Sequence, residues 1–219
     1  MYQPHFTVIG EQLWGQLSEL APPRIRPARS VLLRQGDPGT HVILLASGST
    51  LITLSGSSGE RTLLAVRGEG ELLGELAVLD NQPRTASVIA AETCRIHIIP
   101  AADFLGFVDK HDLLAPLLRH AIARVREAET VRLELATASV PARLASALSR
   151  LAGVASTTAS ELAVRLTQAE LSQMIGASRN AVGAALKPWR EQGWLDTASG
   201  GGLLIRNIKA IQSHARTQT

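Results

Sequence analysis

The hydrophobic pattern of this chain changes near residue 112, and that change most constrains the fold. From about residue 27 to 100, short apolar runs such as VLLR, HVILLA and TLITLS are separated by turn-rich segments such as GDPGT and GSSGE. Many short strands joined by tight turns are typical of a compact antiparallel sandwich or roll. After residue 112 the apolar residues follow a helical period instead. The sequence therefore predicts an α+β chain in which an antiparallel β-roll precedes a long helix and further helices.

The first of these helices carries a sustained heptad stripe. Asp112 is predicted to cap its N-terminus, and Pro116 falls near the first turn, where proline does least damage. The stripe steps by four and three residues in turn and comprises Leu114, Leu118, Ala121, Val125, Ala128, Arg132 and Leu135. The rest of the helix is largely charged. A homodimer packed along the stripe is the simplest interpretation, and the alternative is a helix that lies on its own domain.

Shorter signals complete the N-terminal part of the chain. Residues 9–20 predict a short helix, which the prolines of APPRIRP end, and SGSSGE at 55–60 predicts a hairpin tip. Cys94 is the only cysteine and lies in an apolar, strand-like run, so we expect a buried, inert thiol. A single cysteine excludes an internal disulfide and argues against a cysteine-ligated metal or iron–sulfur site within one chain.

Composition and charge narrow the class of protein. No apolar stretch approaches the roughly 18 residues that a membrane helix needs, and the N-terminus lacks the features of a signal peptide, so a cytoplasmic protein without membrane contact is expected. Residues 1–140 carry 13 Lys and Arg against 15 Asp and Glu, whereas residues 141–219 carry 9 against 4. The basic C-terminal part therefore favours a polyanionic partner.

The segment TASVPAR at 137–143 predicts the end of the long helix and the start of another. Ser139 is a plausible N-cap and Pro141 a plausible early helical residue, with the helix running to about Leu151. GVASTTAS then predicts a loop, and ELAVRLT predicts a short strand. These breaks divide the chain into a β-roll with its N-terminal helix at 1–111, a long helix at 112–138 and a third part at 139–219.

Residues 166–196 predict a helix-turn-helix. Thr167 and Glu170 form a capping box for one helix, Gly176 allows a tight turn, and Ser178 caps a second helix. The two inner faces are predicted to comprise Leu171, Met174, Ile175, Val182, Ala185 and Leu186. The following GWLDTASGGGLLIRN predicts a two-stranded wing around residues 200–202. Pro188 is unexpected inside the second helix and predicts a kink or a shorter helix.

The start of this second helix carries base-reading side chains. In a helix-turn-helix the first residues of the second helix meet base edges in the major groove. Arg179 can bind guanine bidentately and Asn180 can bind adenine. Thr167 and Ser178 can hold phosphates, which sets the register without reading sequence.

A second motif, GELAVLDNQPRTASV, spans residues 74–88 and brings together a carboxylate, a guanidinium and a hydroxyl: Glu75, Arg84 and Thr85. A buried phosphate anion is bound well by a guanidinium fork and by backbone amides near a glycine. Glu75 could instead form an ion pair with Arg84 that closes the roll without a ligand. Both interpretations fit the residues.

The order of β-roll, long helix and winged helix-turn-helix, with these two motifs, resembles the CRP/FNR family of bacterial transcription regulators from about residue 32 to 207. In cyclic-nucleotide-binding members, the resemblance implies that Glu75 binds the ribose 2′-hydroxyl and that Arg84 and Thr85 contact the cyclic phosphate. The implied ligand-binding set is Gly74, Glu75, Leu76, Ala77, Arg84, Thr85, Arg124 and Glu129. The implied DNA-binding set is Thr167, Gln168, Ser178, Arg179, Asn180, Gly183 and Lys187.

The chain departs from the family pattern in both sites. Ala128 and Glu129 stand where cAMP-responsive members carry a Thr-Ser pair that holds the adenine. The sequence therefore does not determine which base the effector carries. Asn180 and Ala184 replace a glutamate and an arginine of the usual recognition helix, so we expect an operator unlike the family consensus, with about 1–3 kcal/mol less discrimination per lost contact.

The resulting hypothesis is a homodimeric regulator that binds pseudo-palindromic double-stranded DNA, contacts RNA polymerase and responds to a cyclic nucleotide such as cAMP, with no required cofactor. One alternative is an effector-independent DNA binder whose β-roll is a scaffold, and another is a haem- or redox-sensing member of the family. An enzyme is not expected, because no metal-ligand cluster, Walker loop or nucleophile elbow is present in the sequence.

Overall fold

The structure is a computed structural model that describes residues 3–56, 59–154, 162–164, 166–198 and 202–217. The chain divides into two compact units. The first comprises Met1–Arg61 and Ala65–Arg126, and the second comprises Thr62–Leu64 and Glu127–Thr219. The sequence boundaries proposed at 111 and 138 stay predictions.

The first unit is built from short strands and four short helices, followed by the first half of a long one. Two helices come first, α1 (His5–Ile9) and α2 (Glu11–Glu19), because Gly10, at φ 89°, interrupts the single helix predicted at 9–20. The strands are β1 (Pro23–Arg26), β2 (Val31–Leu33), β3 (His41–Ser47), β4 (Thr50–Ser55), β5 (Arg61–Arg67), β6 (Glu71–Leu73), β7 (Ser87–Ala90) and β8 (Cys94–Pro100). Helix α3 (Glu75–Leu79) follows β6, and α4 (Ala101–Lys110) follows β8; neither helix was predicted.

These strands form two four-stranded sheets, with orders β1-β8-β3-β6 and β2-β7-β4-β5. The pairings between β1 and β8, β2 and β7, β3 and β6, β3 and β8, and β4 and β7 are all antiparallel, which confirms the predicted β-roll. Alternate residues of β3 serve two cores: Val42 and Leu44 pack with the helices, while Ile43 and Leu45 pack between the sheets. Cys94 lies in the second core as a free, buried thiol, as predicted, and burial raises its pKa to about 11.

Helix α5 (Leu114–Thr137) begins two residues later than predicted. Leu113 occupies the capping position, since its carbonyl accepts the hydrogen bond of the Leu117 amide, so the prediction that Asp112 caps the helix is wrong. Asp112 instead takes a left-handed φ of 50° in the turn before the helix. The helix has two different faces: Leu117 and His120 are buried in the first unit, while the stripe residues Leu114, Leu118 and Val125 are exposed.

The second unit contains α6 (Val140–Ala152), β9 (Leu162–Val164), α7 (Gln168–Met174), α8 (Arg179–Glu191), β10 (Leu195–Thr197), β11 (Leu203–Ile205) and the unpredicted α9 (Ile208–Thr217). Ser139 caps α6 by accepting from the Ala142 amide, as predicted. Strands β10 and β11 form the predicted wing, and β9 completes a three-stranded sheet. The loop predicted at 153–160 and the turn predicted at 200–202 lie largely outside the described residues.

Candidate effector and DNA-binding sites

Arg84 is the centre of the candidate effector site and is only 4% exposed. Its Nη1 donates to the Gly74 carbonyl oxygen at 2.5 Å, and its Nη2 donates to the His41 carbonyl oxygen. Its own backbone is held by the 36–37 turn, because its amide donates to Asp37 and its carbonyl accepts from Gly36. The guanidinium therefore ties the β6–α3 junction to the start of β3.

Gly74 is the residue that makes this arrangement possible. It sits at φ 83°, in the left-handed region, immediately before α3. A Cβ at this position would overlap the Arg84 guanidinium and press on Leu33. The loop before β3 also comes close to α3, since a Cβ on Gly39 would overlap the Ala77 carbonyl. Glycines at 39 and 74 thus let three segments meet around one buried cation.

Glu75, the first residue of α3, has a carboxyl group with a raised pKa. Its side chain is 16% exposed, and Oε1 lies 3.7 Å from His5 Nε2. Burial raises the pKa of Glu75 to about 7, although the Glu75 and Gly74 amides and the charges of Arg67 and Arg84 oppose this rise. Glu75 and Arg84 form no direct ion pair among the described residues, because the Arg84 guanidinium is directed to two carbonyls instead. The proposed closing ion pair is therefore not seen.

The remaining predicted ligand residues are distributed differently. Ala77 is buried in α3. Leu76, the preceding residue of α3, is exposed, and so is Thr85. Arg124 of α5 donates from Nη2 to Glu71 Oε2 at 2.6 Å, so the structure associates it with β6 and not with Arg84. Glu129 is exposed on the part of α5 that belongs to the second unit.

Residues that the sequence analysis did not single out also surround Arg84. A cleft of about 270 Å³ is lined by Val31, Leu32, Leu33, Arg34, Asp37, Pro38, Thr40, His41 and Arg84. Burial beside Arg84 lowers the pKa of His41. The GDPGTH segment at 36–41 had been interpreted only as a turn, and its second glycine was the available signal that another backbone approaches there.

The helix-turn-helix has the predicted local geometry. The Thr167 hydroxyl accepts from the Glu170 amide at 3.2 Å while the Glu170 carboxylate accepts from the Thr167 amide at 2.7 Å, which confirms the capping box. Gly176 takes φ 59° in the turn, and Ser178 caps α8 through the Ala181 amide. Pro188 does not shorten α8, which continues through it to Glu191.

Helix α8 has a buried face and an exposed face. Val182, Ala185, Leu186 and Trp189 face the core of the second unit. The predicted DNA-contacting residues Arg179, Asn180 and Lys187 are exposed, Gly183 is half-buried among them, and Gln168 is exposed at the start of α7. Lys187 Nζ lies 3.9 Å from Glu191 Oε1 in an exposed pair. The exposed face of α8 is therefore polar, and Arg179 makes its N-terminal end basic.

Comparisons with known proteins agree with this architecture. Residues 24–111 match the family described as cyclic nucleotide-binding domain, and residues 142–213 match the Crp-like helix-turn-helix domain. The cyclic AMP receptor protein of Thermus thermophilus is 30% identical over 173 residues, which cover 78% of this chain and 77% of that protein. The chain belongs to the CRP/FNR family.

Other members of the CRP/FNR family are similar over more of the chain. The CRP-like cAMP-activated global transcriptional regulator of Mycobacterium tuberculosis H37Rv is 28% identical over 194 residues, or 87% of this chain and 86% of that protein. The solved structure of TTHA1359, a CRP/FNR-family transcriptional regulator from Thermus thermophilus, has a TM-score of 0.72 at 22% identity and covers 90% of this chain and all of that one. The chain is therefore a CRP-like transcriptional regulator with a cyclic nucleotide-binding domain and a helix-turn-helix. Among the described residues, no helix has the length and apolar character to cross a membrane.

Proposed function

We propose that this regulator is a homodimer that binds a pseudo-palindromic DNA site and is controlled by a small anionic effector, most simply a cyclic nucleotide such as cAMP. The observation that carries the proposal is the buried Arg84 guanidinium at the N-terminus of α3, beside the Glu75 carboxyl. An organic phosphate is the anion that such a fork binds best.

Effector binding would act by exchange. Arg84 donates to the Gly74 and His41 carbonyls through two of its five N–H groups, so a cyclic phosphate that draws the guanidinium toward itself would compete with these carbonyls. Releasing Gly74 would free the start of α3 to move, and only a ligand that binds one arrangement more tightly shifts the balance between the two. Glu75 would accept from the ribose 2′-hydroxyl, while Thr85 and the Leu76 and Ala77 amides would complete the phosphate contacts.

Dimerisation would use the exposed stripe of α5. Leu114, Leu118 and Val125 are exposed large apolar residues spaced by four and seven positions, as in the predicted heptad stripe. Heptad spacing is that of a coiled-coil seam, and a second copy of the same helix would bury these side chains. The paired α8 helices would then lie about 34 Å apart, one turn of DNA, and a dimer bound near a promoter would contact RNA polymerase.

In the DNA complex, the N-terminus of α8 would enter the major groove. Arg179 and Asn180 would read bases, and Thr167, Gln168, Ser178, Gly183 and Lys187 would hold the backbone. The substitution of Ala184 for a second arginine favours a site that differs from the family consensus.

A second candidate is an effector-independent DNA binder. The specific observation in its favour is that both outer nitrogens of Arg84 already donate to backbone carbonyls, so the fold itself satisfies two of its five N–H groups without a ligand. Ala128 and Glu129, in place of the adenine-holding pair, point the same way.

Calorimetry and thermal melting with cAMP, cGMP and cyclic dinucleotides distinguish the two candidates. The proposal expects saturable heat and a raised melting temperature with at least one of these, both lost in Arg84→Leu. Absence of both signals with every ligand favours the scaffold. Selection of random duplexes with and without the ligand then tests DNA binding separately, and a protein with no duplex preference in either condition overturns the regulatory proposal.

A further inference from the structure

A second polar cluster lies in the interior of the first unit. It comprises His5 of α1, Glu71 of β6 and His120 of α5, all three almost fully buried. One nitrogen of each histidine and one carboxylate oxygen all lie within 4.8 Å of one another. His5 and Glu71 alone are 66 positions apart in the chain, so the fold brings the three residues together.

His5 and Glu71 are in direct contact inside this cluster. His5 Nδ1 lies 2.7 Å from Glu71 Oε2, and the Leu72 amide donates to the same Nδ1 at 3.2 Å. Nδ1 carries either one lone pair or one proton, so a metal ion bound at this nitrogen would replace the proton shared with Glu71 and the hydrogen bond from the Leu72 amide.

His120 is oriented in the way that metal-bound histidines usually are. Its Nε2 lies 3.1 Å from the Gln3 carbonyl oxygen, which can only accept, so Nε2 carries the proton and Nδ1 carries the lone pair. Its ring lies 3.7 Å from that of His5, with an angle of 38° between the planes. The other nitrogen of His5, Nε2, faces the Glu75 carboxyl at 3.7 Å. A hydrogen-bond acceptor on the outer nitrogen, as the Gln3 carbonyl is for His120, is typical of metal-bound histidines.

We propose that His5, Glu71 and His120 form a binding site for a divalent transition-metal ion, with Zn²⁺ as the ion that this donor set favours. Two neutral imidazoles and one carboxylate are a common set for Zn²⁺, and they leave one coordination position for water. A bound ion would join the N-terminal segment, the roll and α5 at one point. None of the three ligands is a proposed effector contact, although Glu75, which is one, lies 3.7 Å from His5 Nε2.

Arg124 would compete with the metal ion. Its Nη2 lies 2.6 Å from Glu71 Oε2, the oxygen that also contacts His5. One carboxylate cannot balance a guanidinium and a divalent cation in a buried site, so the metal would weaken the Arg124–Glu71 contact. Because Arg124 and His120 lie one turn apart on α5, metal binding would change how this helix is held.

The first experiment titrates the metal-free full-length chain with Zn²⁺ by calorimetry, in competition with a chelator of known affinity. We expect one ion per chain, and X-ray absorption at the zinc edge of the wild-type protein should show two imidazole ligands. The proposal is overturned if the wild-type protein cannot compete with the chelator for Zn²⁺. It is also overturned if the zinc X-ray absorption spectrum shows no imidazole ligands.

Variants then assign the site. His120→Gln keeps an amide near the Nε2 position to donate to Gln3 but removes the Nδ1 ligand, and Glu71→Gln keeps an acceptor for Arg124. Each should weaken Zn²⁺ binding at least about tenfold, whereas His97→Gln, outside the cluster, should not. Arg124→Met should strengthen binding, a direction that a merely structural change would not produce. Equal affinity in all four variants overturns the assignment, and circular dichroism identifies any variant that fails to fold.

Discussion

Nη1 of Arg84 is 2.5 Å from the carbonyl oxygen of Gly74, ten residues earlier in the chain. This hydrogen bond spans the whole β6–β7 connection and contacts the backbone where α3 begins. Because Gly74 must be a glycine both for its left-handed φ and for its closeness to Arg84, one pair of residues links a turn, a helix start and a buried charge.

Replacing Arg84 tests that link. Arg84→Leu removes a charged donor from two carbonyls, those of Gly74 and His41, and should lower the free energy of unfolding by about 2–3 kcal/mol. Chemical denaturation of the full chain measures the loss. The control is Arg34→Leu, since Arg34 is exposed on the same cleft, and an equal loss in both variants would contradict the argument.

Gly74→Ala should be more damaging than a comparable change elsewhere. Gly59 also has a positive φ, of 85°, but a Cβ there meets nothing within 4 Å. Gly59→Ala should therefore cost about 1 kcal/mol for the backbone conformation alone, and Gly74→Ala roughly 2–4 kcal/mol because of the added overlap. Denaturant midpoints compare the two, and a similar shift in both would show that Arg84 simply moves aside.

Glu75 should make stability depend on pH near neutrality. The folded chain keeps a proton on Glu75 up to about pH 7, while the unfolded chain loses it near 4.5. The free energy of unfolding therefore falls as the pH rises from about 4.5 to 7, by up to roughly 3 kcal/mol. Glu75→Gln should remove this part of the slope and be the more stable protein at pH 8. Parallel pH dependence of melting in the two proteins would argue against the raised pKa.

Arg179 should determine DNA specificity without affecting stability. It is exposed at the first position of α8, so Arg179→Ala should leave the melting temperature unchanged. It should weaken binding to the selected site by about 1–3 kcal/mol per half-site, measured by fluorescence anisotropy. Lys209→Ala, an equal change of charge on exposed α9 surface, should reduce affinity for all sequences slightly and alike. If Lys209→Ala lost as much sequence specificity as Arg179→Ala, the loss in Arg179→Ala would be due to the change of charge alone.

Leu118 should be required for the dimer. Its side chain is 58% exposed within one chain and is the second residue of the α5 stripe. Leu118→Asp should convert a dimer into a monomer in sedimentation velocity, because a buried carboxylate at the seam is costly. Leu105→Asp, on the exposed surface of α4, provides the matched control. A wild-type chain that sediments as a monomer would contradict the dimer outright.

Local features of this protein could be predicted from the sequence because their causes lie within a few residues. The Thr167–Glu170 capping box, the Ser139 and Ser178 caps and the turn at Gly176 each depend on contacts over three or four positions. Periodicity predicted the apolar stripe of α5 but not that the helix also buries Leu117 and His120 on its other side, and the dimer along the stripe stays a prediction.

By itself the sequence determined the order of β-roll, long helix and helix-turn-helix, the starts of α6, α7 and α8, and the side chains that α8 exposes, since these follow from spacing along the chain. Tertiary structure decided that Arg84 would bind the carbonyls of Gly74 and His41, that Glu75 would titrate near neutrality, and that His5, Glu71 and His120 would meet in the interior. The physical reason is that burial and strand pairing bring together groups that are tens of residues apart, and no local pattern records those distances.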